Sequence, residues 1–524
     1  MAGFLDVLLR GLLLTCVSVA VGGIAWLRLV LRAEPYAKPD AATFASLRVV
    51  SIAAWLAAAV QGAIVLLLLG DLAARTGGLQ LGLYLETTFA RIALGRIVLG
   101  VVLGLVAARL AHRAAGRRAW AALAALGLSL VVSSAALSHA VARVSDRALL
   151  FAIDAAHQLA VAVWVGGLAH LTLHAVRGRD EADPRDGVVA RRFSSMALGA
   201  VAALTATGAT LTVMYVGDLA ALVGTAYGVM ILSKVVLLGA ALVLAYANFR
   251  LVRRAAAAST ARLARFVEVE LGLGVTVLFA AASLTSLPPA VDVRADRATV
   301  AEVASRFAPA PPRLASPPID ELLRTADPLM APPGERKPIE RAWSEYNHHW
   351  AGLFVLAMGS LAVLERLGLR GGRHWPLALL GLATFLFIRN DPRAWPLGPA
   401  GFWESMTLPD VLQHRAFVLL IVAFGVFEWM VRTGRLRPRP WSYVFPLLCA
   451  VGGGLLLTHS HAMFSLKDEF LTEVAHAPLG TLGAFAGWAR WLEVRLPEAG
   501  ETPGWLWRAC LVGVGLLLLF YRES

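Results

Sequence analysis

Apolar runs of 18 residues or more recur from one end of this chain to the other, as in "SIAAWLAAAVQGAIVLLLLG" at 51–70. Each is long enough, as a helix, to cross a hydrocarbon core of about 30 Å. Inside lipid every backbone N–H and C=O must find its partner within the protein, so a segment of this kind has to be helical. The fold class that follows is all-α: a polytopic transmembrane helical bundle. Composition agrees, with 58% of the 524 residues hydrophobic and only 16% charged, against about 25% charged in a soluble domain. The formal charge of +13 does not indicate nucleic acid, because the arginines sit in short loops between apolar runs and so act as topology signals.

The hydropathy pattern predicts about 14 spans, in a group of eight and a group of six. The first group lies at about 8–31, 47–70, 90–110, 119–140, 150–174, 194–216, 227–250 and 266–287. The second lies at about 348–366, 375–389, 411–431, 441–459, 474–494 and 504–521. Between them, 288–346 holds 11 of the 25 prolines and no run able to span. It reads as an extended linker with one short helix around Ile319 to Arg324. The expected organisation is an eight-helix module at 1–287, a linker at 288–346 and a six-helix module at 347–524. Arginine-rich loops follow the third helix (Arg109, Arg113, Arg117, Arg118), the seventh (Arg250, Arg253, Arg254, Arg262, Arg265) and the eleventh (Arg432, Arg435, Arg437, Arg439). With simple alternation all three fall on one side, the cytoplasmic one, which places both termini and the Pro-rich segment outside. The first helix reads as uncleaved, since Asp6 precedes Arg10 and the apolar run continues to about Val30.

Most of the 12 histidines fall at the outer ends of these helices: His139, His157, His348, His349, His414, His459, His461 and His476. Imidazole is the commonest side-chain metal ligand and titrates near neutral pH, so clustering on one face points to metal or proton entry. In "LLLTHSHAMF" at 455–464, Met463 adds a soft thioether, which favours Cu(I) over hard cations. No dense carboxylate cluster accompanies them, which argues against calcium or magnesium. The alternative is that interfacial histidines simply sit at headgroup level. Arg96, Asp154, His170 and Lys234 fall at membrane depth, where a charge is costly and marks a polar path or an internal ion pair. Glu270, close to a helix end, reads as a topological charge. The Trp164–Gly166–Gly167 group predicts close helix contact. Cys16, Cys449 and Cys510 are isolated and form neither a disulfide framework nor a thiolate site.

Several stretches resemble the CopD/PcoD copper-resistance membrane proteins: "SHA" at 138–140, "HQLAVAVWVGGLAHL" at 157–171, "RRFSSMALGAVAALTATG" at 191–208, "LVGTAYGVMILSKVVLLGAALVLAYANFRLV" at 222–252 and "EVELGLGVTVLFAAASLTSLPPA" at 268–290. The C-terminal module resembles the extra membrane region of long family members, through "LLLTHSH" and "LQHRAFVLL". The resemblance implies copper transport across a bacterial cytoplasmic (inner) membrane, generally uptake, alongside a periplasmic copper-binding partner. It carries His139, His157 and Lys234 over as matching positions, with Ser138 where the family often has glycine. Two other readings stay open: a b-type haem protein with axial histidines, and a factor that delivers copper without transporting it. No G-x-x-x-x-G-K-[ST] phosphate loop and no nucleophile–base set is present, so neither an ATP-driven pump nor an enzyme is expected.

Overall fold

A computed structural model describes residues 2–142, 146–177, 186–254, 259–325, 337–458, 467–497 and 501–523. Helices account for the regular structure, and no strand occurs among the described residues. In chain order they are α1 (Ala2–Ala25, continued by a π-helical turn Trp26–Val30), α2 (Ala41–Thr76), α3 (Leu81–Glu86), α4 (Thr88–His112), α5 (Arg117–Ala135), α6 (His139–Ala142) and α7 (Arg147–Arg177). There follow α8 (Asp186–Val216), α9 (Leu219–Gly224), α10 (Ala226–Arg254), α11 (Ser259–Leu284), α12 (Val300–Arg306), α13 (Ile319–Thr325) and α14 (Pro338–Arg366). The last are α15 (Ala378–Arg389), α16 (Phe402–Ser405), α17 (Pro409–Arg432), α18 (Pro438–Trp441), α19 (Val444–Thr458), α20 (Lys467–Glu473), α21 (His476–Arg495) and α22 (Thr502–Leu519).

A helix falls on each of the 14 expected stretches, and 11 helices among the described residues are long and apolar enough to cross a membrane. The protein is a multi-pass membrane protein. The three expected spans outside that set are α14, α15 and α21. At 12 residues, α15 reaches only about 18 Å at 1.5 Å per residue.

The chain forms two compact units, the first built mainly from residues 1–222 and 230–292 and the second mainly from 293–457 and 461–524. In the first unit α1 runs against α2, α5, α7 and α11. Glycine makes the α1–α7 approach possible. A Cβ on Gly166 would lie 1.9 Å from the Ser18 carbonyl oxygen, and one on Gly22 would lie 2.3 Å from that of Ala162. The expected close contact at Trp164–Gly166–Gly167 is therefore backbone against backbone, which any side chain would pry apart.

In the second unit α14 packs on α22, with Gly352, Gly359 and Gly515 at the crossing. Trp375, Phe445 and Trp507 interlock at its centre, with ring centroids 5.0 to 6.0 Å apart. The described residues 293–325 belong to this unit. The expected short helix is present as α13. A second, α12, is closed by a capping box in which Thr299 and Glu302 satisfy each other's backbone N–H. Val303 of α12 then packs with Ala298, Phe470, Leu471 and Val474. Around α12 the segment buries apolar side chains, Ala298 and Val303, which its proline content concealed.

Candidate metal site

The short helix α6 begins at His139, and the long helix α7 carries Asp154 and His157 one turn apart. The His139 ring lies 3.0 Å from the Leu284 carbonyl at the end of α11, which anchors α6 across the top of that helix. On α7, Gln158 donates to Asp154 at 2.8 Å, and the Ser138 hydroxyl also reaches the same carboxylate. The His157 Nδ1 lies 3.1 Å from the Thr207 hydroxyl of α8. Beside His157, Gly208 leaves the room that the ring occupies, since a Cβ there would be 3.2 Å from its Cε1.

Lys234 of α10 completes the group. Its ammonium acts electrostatically on both Asp154 and His157, yet it closes no direct ion pair among the described residues. Four sequence-predicted residues, His139, Asp154, His157 and Lys234, thus converge from α6, α7 and α10. Among the described residues no three His, Cys, Asp or Glu side chains are arranged to hold a metal ion, so this is a polar cluster and not a preformed cage. A cation beside His157 and Asp154 weakens the hold on any incoming positive ion.

The other predicted membrane-depth groups bond elsewhere. Arg96 of α4 donates to Ser134 of α5 at 2.8 Å and is 7% exposed. His170 of α7 is 1% exposed, with Nε2 3.2 Å from the Val19 carbonyl and the ring stacked near Trp26. A Cβ on Gly23 would lie 2.3 Å from that Nε2, so the ring is pressed onto the α1 backbone. Glu270 differs from the topological charge expected of it. At 3% exposed, it accepts hydrogen bonds from Trp164 Nε1 and Asn248 Nδ2, both at 3.1 Å. It is a buried carboxyl tying α7, α10 and α11 together through neutral donors.

In the second unit the predicted histidines separate. His349 accepts the Arg313 backbone N–H at Nδ1 (2.6 Å) and meets the Tyr521 carbonyl through Nε2 (2.8 Å). Both ring nitrogens hold backbone, and neither is open to a metal in this arrangement. His348 stacks on Tyr521 at 4.1 Å and bonds the Ser344 carbonyl at 2.8 Å. His414 is held by Asp391 at 2.7 Å, the carboxylate–imidazole pairing that orients metal-ligating histidines. His476 opens α21. His459, His461 and Met463 lie outside the described residues.

Sequence reasoning missed Ser138, Gln158 and Thr207, whose roles come only from what folds against them. It also missed Asn248 as a partner of Glu270, 22 residues away and on another helix.

Comparison with known proteins adds the chemistry. Residues 187–284, spanning α8, α10 and α11, match the family of Copper resistance protein D, CopD. Over that stretch the chain is similar to CopD. The match includes Thr207, Lys234, Asn248 and Glu270, whereas His139, Asp154 and His157 precede it. A curated relative, Copper transport protein CutJ of Bacillus subtilis (strain 168), is 31% identical over 173 residues, covering 32% of this chain and 31% of the relative. The match therefore spans under a third of that relative's length. No solved structure matches.

Proposed function

We propose that this protein moves copper across the cytoplasmic membrane of a bacterium, in the direction of uptake, as a transporter rather than an enzyme. The observation that carries the proposal is the convergence of His139, Asp154, His157 and Lys234 in the CopD-like unit, where an ammonium without a direct ion pair stands beside an imidazole and a carboxylate. The copper-resistance family match and the copper-transport relative supply the identity of the ion. In this reading the cluster faces outward, where a periplasmic copper-binding protein delivers the ion, with Cu(I) favoured. His414, oriented by Asp391, is the best-prepared ligand of the second unit. His459, His461 and Met463 form its outer acquisition segment, and both termini lie outside. With no phosphate loop in the chain, movement follows the copper or proton gradient.

The test is cell-associated copper, measured by mass spectrometry at fixed external copper. Cells expressing the protein are expected to hold several-fold more copper than vector controls, and His157→Ala is expected to return them to the control level. Equal copper in all three would contradict the proposal, and a fall in the expressing cells would reverse its direction.

A further inference from the structure

A cavity of about 330 Å³ lies in the second unit. Its wall is formed by the Pro-rich stretch at Ala310–Pro311 and Arg313, by Glu345 and His349 of α14, and by Phe520–Arg522 after α22. The frame is built rather than incidental. His349, 4% exposed, pins the stretch through the Arg313 N–H and the tail through the Tyr521 carbonyl. The Tyr521 hydroxyl donates to the Thr472 carbonyl at 2.8 Å. The Glu523 N–H donates to Glu345 at 3.1 Å.

Among the described residues the charge around this cavity does not balance. Arg313 and Arg522 line it, and Arg341 and Arg522 both act on the neighbouring Arg306. Facing these four guanidiniums are two carboxylates, both already engaged. Glu345 takes the Arg313 side chain at 3.5 Å and the Glu523 N–H, and Glu523 accepts from the Ser344 hydroxyl and lies 2.9 Å from the Tyr521 hydroxyl oxygen. Arg306, Arg341 and Arg522 have no ion-pair partner among the described residues, and the Arg306 Nε is buried without an acceptor. Burial and the neighbouring Arg341 and Arg522 push the Arg306 pKa down from its ordinary value. Like charges gathered around a pocket at such cost signal a missing counter-ion. Guanidinium is the side chain whose planar fork matches phosphate and carboxylate. The volume, at the small end of ligand pockets, suits one phosphate group with a short substituent.

We propose that this cavity binds a phosphate group, held between Arg313 and Arg522 and supplied by an anionic phospholipid headgroup or by free phosphate. The proposal is independent of copper, and its test is run on the full-length protein in copper-free buffer. Thermal unfolding is followed in detergent with increasing inorganic phosphate, then in nanodiscs of phosphatidylglycerol against phosphatidylcholine. A saturable rise of a few degrees with phosphate, abolished in Arg313→Gln/Arg522→Gln and kept in the control Arg324→Gln, supports a soluble ligand. A rise in phosphatidylglycerol alone, lost in the same double variant, supports the headgroup. Should the double variant fail to fold, equilibrium dialysis of wild type against radiolabelled phosphate, and lipid analysis of the purified protein, give the same answer. Absence of stabilisation and of stoichiometric phosphate or retained anionic lipid overturns the proposal.

Discussion

In the first unit three charged groups at membrane depth close no ion pair among the described residues: Arg96 on Ser134, Glu270 between Trp164 and Asn248, and Lys234 beside Asp154 and His157. In the second they are pooled. Glu493 takes both Arg490 and Arg508, Glu428 takes Arg432 at 2.9 Å, and Glu365 lies 3.5 Å from Arg432. Trp507 lies under three of these arginines, with Arg508 4.3 Å from its ring centre and Arg432 and Arg490 at 5.4 and 5.5 Å. Paired and stacked charges hold a structure together. Charges held only by neutral donors, or left near another group without closing a pair, are poised to accept something else. Under the proposed function, the paired groups of the second unit's core hold structure, and the cluster around Lys234 in the first is the one that meets the ion.

The largest effect should follow from breaking the pooled network. Glu493→Ala leaves Arg490 and Arg508 buried without their shared carboxylate, and removing one partner of a buried ion pair costs about 3–5 kcal/mol. Urea or thermal unfolding in detergent checks it, and a loss below about 1 kcal/mol would remove the structural assignment. Next comes the glycine contact of the first unit. Gly166→Ala sets a methyl against the Ser18 carbonyl and should cost about 1–3 kcal/mol as an overpacking substitution. Read as melting temperature, an unchanged value would mean that α1 and α7 are not held this closely.

Lys234→Met and His157→Ala are expected to leave the melting temperature nearly unchanged while lowering copper flux about 10-fold or more, the range seen when groups around a metal site are removed. If either variant instead unfolds the protein with no selective loss of flux, the contrast between the units fails. The smallest effect concerns Glu302, whose carboxyl is held down to about 2 by hydrogen bonds from Lys467 and Thr299, against 4.5 in the unfolded chain. A depressed carboxylate contributes stability above its unfolded value and loses it as pH falls through its folded one. The α12–α20 contact should therefore keep its amide protection down to about pH 4 and lose it toward pH 2, with Lys467→Ala losing it earlier. Hydrogen exchange of residues 300–306 reads this directly.

Helix positions were legible because hydropathy is a local property, and the 14 runs reappear as helices to within a few residues at most ends. Length was less legible: the run at 375–389 continues from a 3-10 stretch, Arg370–Leu377, and its α-helical part is short. The Pro-rich segment misled for a physical reason. Prolines mark an extended backbone, but Thr299–Glu302 was a capping signal and Val303 an apolar anchor, and together they fold the stretch onto α20. At the candidate site, His139, Asp154, His157 and Lys234 could be singled out because charge and imidazole are conspicuous inside apolar runs. Their neutral partners were not, since Ser138 and Thr207 look like any other hydroxyl until α6 and α8 fold beside α7. Glu270 was misjudged because distance from a helix end says nothing about Trp164, 106 residues earlier, arriving as its donor.

Copper entry into proteoliposomes is the most direct test of the central claim. The purified protein is reconstituted as wild type, His157→Ala and Lys234→Met, and Cu(I) influx is followed with an entrapped chelating dye. Influx well above empty liposomes for wild type, and near the empty level for His157→Ala, is the predicted result. Equal influx for wild type and both variants would show that copper does not pass this cluster, and would contradict the account.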